Sequence, residues 1–216
     1  MSEAGLLALT QWLSPAFPLG SFAYSHGLEA AISAGEVTDS AGAGRWISDV
    51  LAHGSGWNDA VLLALALGEG ADLGALTAVA RALAASRERL EETEAQGAAL
   101  ARTVSDLTGR AVATMPFPVA LGAAAAPLGL PAERVVALYL QAFAGTLALA
   151  AVRFVPLGQT EGQRVLADLH PAILRLAADA AREAAAEGLG ALGGAALGAD
   201  LAAMRHETLE VRIFRT

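Results

Sequence analysis

Residues 14–29, Ser-Pro-Ala-Phe-Pro-Leu-Gly-Ser-Phe-Ala-Tyr-Ser-His-Gly-Leu-Glu, have their geometry largely fixed before any tertiary contact forms. Pro15 and Pro18 lock φ and remove two backbone donors, so the segment from Ser14 to Pro18 cannot continue a helix. Gly20 permits a tight reversal, and Ser21 is placed to cap a new helix, expected over Phe22–Ala34. Along that helix Tyr24, Leu28, Ala31 and Ile32 share one face, and Gly27 leaves a notch where another backbone can come close. Trp12, Phe17, Phe22 and Tyr24 are four of the chain's eleven aromatic residues. Aromatics beside a rigid turn mark either a packing centre or a docking surface, since they bring large contact area at little entropic cost. Residue spacing alone leaves both open.

A chain of 216 residues is long enough to bury most of its surface, as one domain or at most two. Hydrophobic residues make up 55%, but alanine supplies many of them and aromatics only 5%. A methyl group buries little area, so this composition favours closely approaching helices over a large aromatic core. The net charge of −8 argues against nucleic-acid binding, which needs a basic surface. All fourteen basic residues are arginine. Without lysine there is no Walker-A phosphate loop, Schiff-base lysine or Ser-Lys dyad, and without cysteine no disulfide framework or thiolate nucleophile. Zero cysteine is compatible with the cytosol. The N-terminus lacks the basic and apolar regions of a signal peptide. Residues 135–152 are uncharged and long enough to suggest a membrane span. Their Gln141, Gly145 and Thr146, the flanking Arg134 and Arg153, and the lack of a second span favour a buried central helix.

Taken in order, Glu3–Leu13 reads as a helix ended by Pro15. Thr38, Asp39 and Ser40 offer caps for a helix towards Gly54. Asn58 or Asp59 can start another helix through Leu67, and Leu73–Ala85 follows. Residues 86–104 are the most charged segment; the default reading is a solvated helix with stabilising opposite charges three or four apart. Pro116, Pro118, Gly129 and Pro131 punctuate the chain before the central helix. Pro156-Leu157-Gly158-Gln159 forms a second rigid turn. Thr160-Glu161-Gly162-Gln163 fits a capping box for the next helix, which breaks at His170-Pro171. Residues 188–198 read as a flexible glycine-rich loop, and a short helix covers Asp200–Glu207. Residues 208–216 alternate like an extended tail. The expected architecture is all-α: one domain, a bundle of about eight to ten helices.

No constellation points to catalysis. Gly188-Leu189-Gly190-Ala191-Leu192-Gly193 matches GxGxxG, but it follows a helix instead of a strand, so the phosphate-binding context is missing. His26, His53, His170 and His206 lack metal-ligand spacing, and structural or partner-contacting roles suit them better. Ser25 and His26 are consecutive and would point about 100° apart on a helix, which rules out a dyad. A pocket among the helices, serving a small ligand or an enzyme, remains the competing class.

The opening stretch resembles the N-terminal signature of the UreF family of urease accessory proteins. Trp46, Leu51, Gly54 and Asp59 match the family pattern further along. Ser86, Glu88, Glu91, Glu92, Gly97 and Leu100 resemble its S-x-E-x-x-E-E segment. Residues 150–160, Ala-Ala-Val-Arg-Phe-Val-Pro-Leu-Gly-Gln-Thr, with Gly162 and Gln163, form the most specific internal match, and Met204, His206, Glu207, Arg212, Phe214 and Arg215 resemble the C-terminal signature. Thr146 and Glu210 depart from the pattern, where asparagine and tyrosine are common. The resemblance covers nearly the whole chain. It implies an all-helical, non-catalytic chaperone without a cofactor, commonly a homodimer and cytoplasmic. Such a chaperone joins UreD (also called UreH) and the GTPase UreG on urease apoprotein, assisting lysine carbamylation and GTP-dependent nickel insertion. The net charge and the reading of residues 135–152 as a buried helix lead to the expectation of no nucleic-acid and no membrane partner. The signature positions the resemblance carries as partner-binding candidates are Ser14, Pro15, Pro18, Gly20, Phe22, Tyr24, Ser25, Gly27 and Glu29 at the first corner, Arg153, Pro156, Gly158, Gln159 and Gln163 at the second, and His206, Glu207, Arg212, Phe214 and Arg215 at the C-terminus. Arg153, Gln159, Arg212 and Arg215 are also conceivable donors to the GTPase site.

Overall fold

Side-chain oxygens decide where several helices begin. In a computed structural model describing residues 2–215, Ser2 accepts from the Gly5 amide at 3.0 Å and starts α1 (Glu3–Trp12). Asp39 does the same for Gly42 at 2.7 Å and starts α3 (Ser40–His53). Asp72 caps α5 (Leu73–Ala82), and Ser86 caps α6 (Arg87–Thr108). The remaining helices are α2 (Leu28–Ser33), α4 (Ser55–Ala66), α7 (Phe117–Ala125), α8 (Ala132–Phe154), α9 (Gln159–Asp168), α10 (His170–Glu187) and α11 (Leu197–His206). The architecture is all-α, with no strand among the described residues and eleven α-helices, one more than the upper expectation.

The central helix is α8, as expected. It packs against α10, α4, α9, α3 and α2, while α4 and α6 close on α7. By length and composition α8 is the one helix among the described residues able to cross a membrane, yet 50% of its apolar window is buried inside the protein. The main core gathers Trp12, Phe17, Leu51, Leu62, Leu100, Leu121, Tyr139 and Leu140. A smaller core joins Leu28, Ala31, Val37, Ala151, Val155 and Phe214.

Small residues set the helix spacing. A Cβ at Gly97 would lie 1.8 Å from the Met115 carbonyl oxygen, and one at Gly162 would lie 2.4 Å from Val152 Cγ2. Helices α6 and α9 can therefore approach their neighbours only with glycine at these positions.

Three local expectations are corrected. Helix α2 begins at Leu28, and Ser21 starts only a short 3₁₀ turn, Ser21–Ala23. His26 (φ +51°) and Gly27 (φ +76°) are both left-handed, which interrupts any helix from Phe22. Thr160 does not cap α9: the helix starts at Gln159, with amides of Glu161 and Gly162 bonding the Gly158 carbonyl, so Thr160 lies inside the first turn. The fifth helix stops at Ala82 instead of Ala85. In the glycine-rich segment, Gly188–Ala191 form a 3₁₀ turn, Trp57 donates to the Ala191 carbonyl at 3.0 Å, and the Gly193 amide donates to Asn58 at 3.1 Å. The break at His170-Pro171 is present as the α9–α10 junction.

Candidate functional site

Helix α6 carries the chemistry that the sequence assigned to solvent. Glu88 and Glu92 are only 5% and 3% exposed. Spacing explains why: Glu88, Glu92 and Gln96 extend the four-residue row that continues through Leu100 and Val104, so the polar residues lie on the apolar stripe. Burying charges there requires partners, and the structure supplies two sets.

In the first set, Asp59 on α4 accepts from the Arg89 guanidinium and from the Tyr139 hydroxyl. Arg89 also lies 3.2 Å from Glu92, which accepts from Gln96 at 2.9 Å and faces His26 Nε2 at 3.2 Å. Burial alone would drive Arg89 towards losing its proton, but Asp59 and Glu92 outweigh it and hold the guanidinium charged. Burial likewise opposes ionisation of Glu92, but His26 and then Arg89 overcome it and hold its carboxyl below the usual range. Burial, reinforced by Asp59, pushes the Tyr139 hydroxyl well up, so it remains a donor. The His26 ring packs on Phe143 with centroids 4.5 Å apart.

The second set fastens the C-terminus. His206 is completely buried, with Nε2 2.9 Å from Glu29 and Nδ1 2.8 Å from Glu88. Glu29 also accepts the amides of Ile213 and Phe214, both at 2.9 Å, and Glu88 accepts from the Arg212 guanidinium. Glu207 accepts the Arg87 amide at 2.8 Å, at the start of α6, where negative charge complements the helix dipole. The Arg215 amide donates to the Ala23 carbonyl at 2.7 Å. Burial, with Glu92 second, raises Tyr24, while its hydrogen bond to Arg215 acts the other way.

Two corners meet at this tail. Gly27 is the anticipated notch: a Cβ there would lie 2.6 Å from the Ala203 nitrogen, so α11 crosses directly over it. Ser25 is buried and accepts the Glu29 amide at 3.4 Å. The second corner reaches the same place through Phe214, whose ring lies 5.2 Å from Phe154 and 5.5 Å from the Arg153 guanidinium carbon. Other signature positions stay outside the network. Pro15, Pro18, Pro156, Gly158, Gln159 and Gln163 are exposed. Ser14 is half-buried and accepts the Ala16 amide, while Gly20 adopts φ +72° to make the turn. Phe22 is 63% exposed, whereas Trp12, Phe17 and Tyr24 pack inside.

A groove of about 450 Å³ runs beside α8, with Phe22, Leu149, Arg153 and Gln163 among its walls and Glu92 and Tyr139 at its buried end. A cavity of about 270 Å³, lined by Asn58, Asp59, Arg89 and Asp200, lies across the charged network, and His26 borders both. Among the described residues no three His, Asp or Glu side chains are grouped to hold a metal ion. These polar groups bond mainly to one another, an arrangement that fixes shape.

Comparison with known proteins assigns the fold to a family. The UreF family profile matches residues 37–170, more than half of the chain. The chain belongs to the UreF family. The Cereibacter sphaeroides strain ATCC 17023 protein named urease accessory protein UreF is 66% identical over 214 residues, covering 99% of this chain and 100% of its own length. Proteins of the same name from Jannaschia sp. strain CCS1 and Paracoccus denitrificans strain Pd 1222 are 55% and 53% identical, covering 98% and 99% of this chain and 94% and 97% of their own lengths. The UreF family serves urease maturation in an accessory, non-catalytic role. The matched span omits both the first corner and the tail, which these relatives nonetheless cover.

Glu88, Glu92 and Asp59 fall in the family pattern, but nothing in that pattern marks their burial. Arg89, Tyr139 and His26 were missed as members of a network. The available signal was the four-residue row joining carboxylates to leucine and valine on α6.

Proposed function

We propose that the chain is a cytoplasmic scaffold that forms a homodimer and holds UreD (UreH), the GTPase UreG and urease apoprotein together for lysine carbamylation and GTP-dependent nickel insertion. The observation that carries this reading is the convergence of the Ser14–Glu29 corner, the Arg153–Gln163 corner and the C-terminal signature around one tail. A scaffold needs such a rigid presenting surface, and the large residues left outside suit it: Phe22, Leu197, Leu201, Met204, Val211 and Ile213 are all exposed. The two pockets favour the small-ligand alternative less, because the buried charged groups Asp59, Arg89 and Glu92 in their walls are engaged with each other.

The scaffold also modulates UreG turnover in this proposal, by directing an exposed arginine or glutamine at the GTPase. Arg153, Gln159, Arg212 and Arg215 are all exposed, and Arg212 is in addition tied to Glu88. The test is GTP turnover and urease activation by the complex reconstituted with and without this chain, then with each donor changed to Ala. Activation that depends on the chain supports the scaffold, and slower turnover on loss of one donor supports modulation. Equal urease activation without the chain overturns the scaffold reading, and unchanged turnover in all four variants removes the modulating role.

A further inference from the structure

Two carboxylates flank one imidazole at the root of the tail, and their hydrogen bonding counts protons. Both nitrogens of His206 face carboxylate oxygens, at 2.8 and 2.9 Å, in a site with no exposure of the ring. A neutral ring carries one N–H, so it can satisfy only one carboxylate and turns a lone pair towards the other. Holding both requires one further proton in the cluster. With that proton on the ring, His206 and Arg212 carry two positive charges against the two negative charges of Glu29 and Glu88. Without it, a net negative charge stays buried between repelling oxygens, which is costly at low local dielectric.

We propose that Glu29, His206 and Glu88 form a proton-operated latch that docks residues 212–215 when the extra proton is present and releases them when it leaves. The coupling is direct because the same carboxylates hold the tail: Glu29 accepts the Ile213 and Phe214 amides, and Glu88 accepts Arg212. The charged groups that face the ring are Glu29 from α2 and Glu88 from α6, and Arg212 from the tail is bound to Glu88. At the end of α11 itself, Glu207 lies 3.7 Å from Arg87 and Arg205 lies 3.1 Å from Glu36, so both are occupied away from the ring. Release removes Phe214 from the smaller core and uncovers the apolar ring of Phe154 against which it packs. Rising pH therefore converts a seated tail into a free one with a new apolar patch beneath it. The latch belongs to the isolated chain, so its test is independent of the scaffold reading.

The chain has no cysteine, so a Val211→Cys variant, at a position 82% exposed, takes a single pH-insensitive rhodamine label. Fluorescence anisotropy of the full-length labelled protein is followed from about pH 5 to about pH 8, the range in which histidine side chains change charge. The latch predicts an anisotropy fall with rising pH, to the value of a free tail. Glu88→Gln should stay high and flat, because its amide can donate to an unprotonated Nδ1 while its carbonyl accepts Arg212. His206→Gln should also lose the pH dependence. A flat profile in the parental labelled protein overturns the proposal, even if Glu88→Gln fails to fold. So does an identical fall in Glu88→Gln or His206→Gln with helical circular dichroism retained.

Discussion

A single methyl group decides whether α6 can sit where it does. Gly97→Ala would put Cβ 1.8 Å from a backbone carbonyl that no rotamer change can move. The expected cost is about 3 kcal/mol, the upper end for overpacking, read as a lower denaturation midpoint with an unchanged denaturant slope. Tyr139→Phe leaves Asp59 short of a donor inside the core and should cost about 1–3 kcal/mol by the same measurement. Glu92 gives a pH prediction. Its folded-state carboxyl lies below its ordinary value, so its stabilising contribution is complete above that value and disappears as the pH falls through the depressed one. Acid unfolding below about pH 4 should therefore include a component absent in Glu92→Gln, monitored by helical circular dichroism against pH.

At the scale of elements, the start of α6 is the most informative. Ser86 accepts the Arg89 amide and Glu207 accepts the Arg87 amide, so the helix start is closed by one local and one distant side chain. Ser86→Ala should cost about 1 kcal/mol, with Glu207→Ala costing less because its carboxylate is partly exposed; paired thermal melts would check both. The all-α class and the central α8 were legible because apolar periodicity and proline punctuation are local signals. The Gly27 notch was legible for the same kind of reason. The start of α2 was not, because His26 adopts a left-handed backbone that Ser21 and the apolar face beyond it gave no sign of. The false solvent face of α6 has a similar origin. Opposite charges three to four apart occur both on wet helices and in buried networks, and the partners that distinguish them, Asp59, Tyr139, Glu29 and His206, lie far away in sequence.

Across the whole molecule, buried charges connect remote parts of the chain. Asp59, Arg89, Glu92, Glu88, Glu29 and His206 tie α2, α4, α6, α8 and α11 together, and the signature segments lie around them. Large apolar side chains on α11 and the tail remain outside, on the face where a scaffold would meet its partners. The most direct test of the account is native mass measurement on complexes co-expressed with UreD, UreG and the urease subunits, using the intact chain and a chain ending at Glu207. The account predicts that the intact chain is recovered within a multi-protein assembly and that removing residues 208–216 depletes it. Recovery of the intact chain alone, or equal incorporation of both forms, would contradict it.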